Sequence, residues 1–171
     1  ANVEAYALYA ITNLIRGDLA LSATYVEKGL KEADEILSRE WGLYFRFLLA
    51  RINFELGRYE TAAKILENAL AFDSLYHIGK ARHVLYAWLA RCFVYMRNPG
   101  TGITILEPLE DNHLKKLFMA EAYYFAVQYE KAYSLLEAFD FYSDLYDFIP
   151  GIRPFWKDGF FNIEGRCNDL S

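Results

Sequence analysis

The chain has 171 residues, 54% apolar and 18% aromatic, with a formal net charge of −5. That is enough apolar chain to bury a core, and the acidic balance without any basic tract excludes electrostatic attraction to nucleic acid or anionic lipid. No apolar run reaches the roughly 18 residues of a membrane span, and two cysteines, Cys92 and Cys167, make no disulfide framework, so two free thiols are expected.

Apolar spacing predicts eight helices. Residues 3–16 form an amphipathic helix that Gly17-Asp18 breaks, and a second helix runs from about Leu19 to Leu37. Ser38-Arg39-Glu40 connects to a helix from Trp41 to Leu56, Gly57-Arg58 turns the chain, and the partner helix runs from Tyr59 to about Phe72. Asp73-Ser74 offers an N-cap to a long helix reaching Arg97. Asn98-Pro99-Gly100 is a turn, and the helix after it is short because Pro108 lacks an amide donor and clashes with the preceding turn. Asp111-Asn112 caps a helix over 113–126, whose partner runs from about Gln128 to Phe148. Pro150-Gly151 ends the pattern, so 1–148 reads as a repeat array. The aromatic segment 149–171 reads as a cap over the last hairpin or as the start of a truncated segment.

A small–small pair recurs twelve residues apart at Ala10/Ser22, Ala50/Ala62, Ala90/Gly102 and Ala120/Ala132. Each pair straddles a turn between two helical runs, which is the arithmetic of a helical hairpin. Small residues facing each other let antiparallel backbones approach, and large apolar groups flank the contact. Tyr9, Leu49, Leu89 and Met119 stand before the turns, and Val26, Leu66, Leu106 and Leu136 after them. The hairpins start 40, 40 and 30 residues apart, so the repeat is regular within a hairpin and irregular between hairpins.

Leu49-Ala50, Leu56-Gly57-Arg58-Tyr59, Ala62, Leu66, Ala69-Leu70 and Asp73 resemble a tetratricopeptide repeat (TPR), with its glycine–aromatic turn and small packing residues. The likeness is strongest over 43–73 and good over 113–140, weaker over 3–29, and degenerate over 83–109, where Pro99 replaces the aromatic residue. The resemblance implies an all-α fold, a right-handed α-α superhelix of about four TPR-like helical hairpins with an irregular aromatic C-terminal segment. The two-carboxylate clamp of some TPR domains is not carried over. Its ligands would fall at Ala7, Ile11, Leu48, Val84 and Trp88, and none has the required side chain.

No reactive motif stands out. His77, His83 and His113 form no metal-ligand spacing, Gly100-Thr101-Gly102 lacks the surroundings of a phosphate loop, and no nucleophile elbow occurs. Asp140, Asp144 and Asp147 read as a solvated acidic stripe. A non-catalytic chain without cofactor or metal is therefore expected, and nothing assigns a cellular compartment.

In a TPR-like array the first helix of each hairpin lines the concave face. The residues after the small packing positions, Ile11, Arg51, Arg91 and Glu121, would point there, with Phe54, Tyr95 and Tyr124 one turn further on. Two guanidinium groups among aromatics could hold an acidic peptide through bidentate bonds, or each could pair with a nearby Glu or Asp. The leading expectation is a protein–protein interaction module that takes a peptide or protein segment on this face, with Arg51, Arg91, Phe54, Tyr95, Glu121 and Tyr124 as contact residues. A small-molecule or lipid-like ligand carrier and a homodimer through an exposed aromatic edge are the alternatives.

Overall fold

The computed structural model describes residues 2–79 and 81–137. Within them the chain forms eight helices and no strand: α1 (Val3–Arg16), α2 (Leu19–Glu35), α3 (Arg39–Glu55), α4 (Tyr59–Tyr76), α5 (Arg82–Tyr95), α6 (Pro99–Leu106), α7 (His113–Phe125) and α8 (Tyr129–Glu137). Each helix packs on the next, so consecutive helices form hairpins, and α1 also touches α3 while α5 touches α7. No helix of the described residues is long and apolar enough to cross a membrane. The predicted stretch of the last helix to Phe148, the acidic stripe, Cys167 and the segment 149–171 lie outside the described residues.

The small pairs sit where the hairpin arms meet. Ala10, Ala50, Ala62, Ala90, Ala120, Ala132 and Ser22 are all buried. Ser22 donates its hydroxyl to the Ala10 carbonyl at 2.7 Å, a direct contact between the two members of the first pair. In the third hairpin a Cβ on Gly102 would lie 2.9 Å from the Ala90 carbonyl oxygen and 2.6 Å from Val94 Cγ2. Glycine is therefore needed there for close approach. Between the first two hairpins the same device appears as Gly29, over which the buried Phe45 ring lies so closely that a Cβ would fall on its Cζ.

All four hairpin turns close with one hydrogen-bond pattern. The amides of Asp18, Arg58, Asn98 and Gln128 each donate at 2.9 Å to the carbonyl five residues earlier, around a left-handed residue. This is the Schellman helix stop, which satisfies carbonyls that the helix end leaves bare. Gly17 and Gly57 supply the left-handed residue in the first two turns, but Arg97 (φ 64°) and Val127 (φ 61°) supply it in the others. A β-branched residue incurs a steric penalty at positive φ that glycine does not. Val127 is 68% exposed and loses little packing on truncation. Val127→Gly is expected to raise stability by about 1 kcal/mol, read as a higher denaturation midpoint at unchanged slope.

Observed and predicted boundaries differ most at two connections, and Pro99 and Gly100, expected in a turn, are the first residues of α6. Asp73-Ser74 does not cap a new helix: α4 continues to Tyr76, His77 turns left-handed (φ 54°), and α5 begins at Arg82. Asp73 instead turns a buried carboxylate toward the connection. It accepts from the Gly79 amide at 2.8 Å, with Arg82 3.7 Å away, and Arg82 also donates to Ser74 Oγ at 2.7 Å. The residue type that would cap a helix start here anchors the chain leaving a helix end. Ser38, expected in a connection, is the N-cap of α3 and accepts from the Trp41 amide at 3.4 Å, so Arg39 and Glu40 are helical.

Helix α5 buries eight of its residues: Val84, Leu85, Ala87, Trp88, Leu89, Ala90, Cys92 and Val94. Cys92 is a free thiol, and burial pushes its pKa from 9.0 up to about 12. Between those values the unfolded thiol loses its proton while the folded one keeps it, so stability falls as pH rises through the window. Cys92→Ala is expected to remove that component, up to about 1.4 kcal/mol per pH unit. Denaturation midpoints at about pH 8 and about pH 10.5 check it, since a steeper fall in the wild type than in the variant is required.

Candidate functional site

The first helices of hairpins two, three and four carry the predicted contact residues, and their side chains meet. Arg91 of α5 reaches Glu121 of α7 with a planar two-bond grip, Nε to Oε1 at 2.8 Å and Nη2 to Oε2 at 2.9 Å. The Tyr95 hydroxyl lies 3.3 Å from the same carboxylate. The guanidinium is ringed by aromatics, with its central carbon 4.8 Å from the Phe118 centroid, 4.9 Å from Phe54, 5.0 Å from Trp88 and 5.6 Å from Tyr95. Such stacking suits a planar, weakly hydrated cation.

Arg51 of α3 joins the cluster through Trp88, its guanidinium carbon 4.1 Å from the ring centroid. Burial pulls the Arg51 pKa down to about 10, against the charge of Glu55 and with help from the charge of Arg91. At Arg91 burial works the same way, but the hydrogen bonds and charge of Glu121 outweigh it and the pKa is raised. Burial and the neighbouring Glu121 carboxylate both hold the Tyr95 hydroxyl above its ordinary value. Equivalent positions in successive hairpins therefore hold two cations and one anion, and the anion pairs with one of the cations.

Around this charge cluster runs a series of rings along the turn ends of three hairpins. Phe54 at the end of α3 lies 5.1 Å from Tyr59 at the start of α4, and 5.0 Å from Tyr95 at the end of α5. Tyr95 lies 5.1 Å from Phe125 at the end of α7. From Phe125 the contacts continue to Tyr124 at 6.1 Å and on to Tyr129, the first residue of α8, at 5.4 Å. The series emerges from the core as it goes: Phe54 is buried, Tyr95 half-buried, Phe125 44% exposed, Tyr129 56% and Tyr124 61%. Between α7 and α8 an open hollow of about 470 Å³ is lined by Met119, Tyr123, Glu130, Lys131, Ser134 and Leu135.

All six sequence-predicted residues thus fall in one contiguous set. Arg91, Glu121, Tyr95 and Phe54 touch directly, Arg51 is linked through Trp88, and Tyr124 through Phe125. Glu121, expected to face a ligand, holds Arg91, so of the two expectations for the arginines internal pairing is the one seen at Arg91. Sequence reasoning missed Trp88 and Phe118, which stand at equivalent positions thirty residues apart, and Tyr59 and Tyr129, which open the second helices. The repeat phase was the signal for both pairs. Among the described residues no three His, Cys, Asp or Glu side chains come together as metal ligands would. No protein-family model matches the chain, and no curated protein or solved structure matches it either.

Proposed function

We propose that this chain is a TPR-like helical-repeat interaction module that binds a protein segment across the first helices of its hairpins, without catalysis. The observation that carries the reading is the ring series from Phe54 to Tyr129, which passes out of the core onto the surface over three hairpins. Core rings do not need to emerge in this way, and exposed Tyr and Phe beside arginine are the composition of interaction hot spots. Rigid rings give contact area at a small entropic cost, and the guanidinium groups orient a chain lying against them. In this reading the hairpins stack into a superhelix with the ring series along its inner edge.

The test uses two pools of fluorescently labelled decapeptides. One is randomised over Glu, Asp, Phe, Tyr and Leu, and the other has Gln and Asn in place of the acids. Anisotropy titration against the wild type is expected to show saturable binding, weakened about tenfold or more by Tyr124→Ser/Phe125→Ser, whose rings are 61% and 44% exposed, with far-UV circular dichroism as the check that the variant folds. Equal affinity of wild type and that double variant would remove the ring series from the mechanism. Equal affinity of wild type and Arg51→Ala/Arg91→Ala would remove the arginines.

A further inference from the structure

Arg91 and Glu121 occupy equivalent positions in neighbouring hairpins, thirty residues apart, and form a part-buried bidentate pair. Their side chains are 20% and 22% exposed, so the pair is in partial contact with solvent. Arg91 is held from several directions by the rings of Phe118, Phe54, Trp88 and Tyr95. Its guanidinium therefore stays in place whichever carboxylate fills its fork. A cation so enclosed must be matched by an anion, and the fork fits any Glu or Asp carboxylate equally well.

We propose that Glu121 is an internal stand-in for an acidic residue of the bound segment. In the free protein it fills the Arg91 fork, and on binding a carboxylate of the segment takes its place while Glu121 turns into solvent. This rests on the proposed binding of a segment across the first helices. The exchange conserves ion pairs: one Arg91–carboxylate pair opens and another forms, and one carboxylate gains water as the other loses it. Affinity in the wild type then comes from the rings, because the pair that the acid forms replaces the pair that it opens, and the contribution of the acid is exposed only when the charge of Glu121 is removed. Tyr95 ties the two parts together, since its ring stands in the aromatic series and its hydroxyl touches the Glu121 carboxylate.

The same two decapeptide pools test it. Glu121→Gln keeps the side-chain shape and one acceptor while removing the competing charge. It is expected to bind the acid-containing pool about tenfold more tightly than wild type, and the amide pool unchanged. Adding Arg91→Gln is expected to abolish that gain. Tyr95→Phe, which removes only the hydroxyl contact, should move affinity for the acid pool the same way by about twofold, and it guards against misfolding of the first variant. Equal affinity of wild type and Glu121→Gln for the acid pool, with both pools bound, overturns the stand-in role and leaves segment binding intact. A gain that persists without Arg91 also overturns it. Absence of binding by every variant overturns both.

Discussion

Replacing Trp88 with alanine is expected to cost about 3–5 kcal/mol of stability, more than the loss expected from any other substitution in this cluster. The indole is fully buried and joins three helices: its ring lies 6.2 Å from Phe47 and 5.4 Å from Phe54 on α3, and 5.2 Å from Phe118 on α7. It also faces both Arg51 and Arg91, so alanine removes the surface against which two cations rest. Trp88→Phe is a sharper comparison. The indole N–H has no hydrogen-bond partner among the described residues, so phenylalanine deletes an unmet buried donor along with some volume. Phenylalanine is expected to stay within about 1 kcal/mol of wild type, and urea denaturation of the two variants checks the contrast.

Gly29→Ala is expected to destabilise by about 2–3 kcal/mol, although alanine is the better helix former by about 1 kcal/mol. The added methyl would fall on the fully buried Phe45 ring, which packs against Trp41 and Tyr44 and would have to shift within the core to admit it. Overpacking thus outweighs propensity at this site. Gly100 provides the opposite case, because a Cβ there meets nothing within 4 Å. Gly100→Ala is expected to stabilise by about 0.5 kcal/mol through propensity alone. Pairing Gly29→Ala with Phe45→Ala should cost less than the sum of the two by about 1 kcal/mol or more, since the second change makes room for the first. Additive costs would mean that the ring does not rest on the glycine.

The parts of the fold that were legible in the sequence are those governed by local sterics. Gly17 and Gly57 mark left-handed stops, Pro108 limits α6 to Pro99–Leu106, and the twelve-residue pairs mark where hairpin arms touch. Arg97, Val127 and His77 take the same left-handed conformation without glycine. There the hydrogen-bonded helix stop imposes a geometry that residue type does not announce. Asp73 misled because a carboxylate followed by serine has the same local chemistry whether it caps a helix start or takes an amide from the chain beyond a helix end. Only the six-residue reach to Gly79 distinguishes the two.

The site divides in the same way. Hairpin phase put Arg51, Arg91 and Glu121 in one row, and the structure finds them in one cluster. The choice of Glu121 rather than Glu55 as the close partner of Arg91 depends on the approach of α7 to α5, which no spacing encodes. The same approach brings Phe125 to Tyr95 and so carries the ring series into the fourth hairpin. Helix α5 adds a further difficulty, since it is apolar on nearly every side and offers no periodicity from which to read a functional face.

If a protein segment lies along the rings and the Arg91–Glu121 pair, the backbone amides of that face must sense it. Amide shifts of isotope-labelled protein, followed by NMR during titration with the acid-containing decapeptide pool, read this directly. Shifts are expected to concentrate at Arg91, Tyr95, Glu121, Tyr124, Phe125 and Tyr129 and to fade toward α1 and α2. Saturable binding with shifts centred elsewhere, or no shift at saturating peptide, would contradict segment binding on this face.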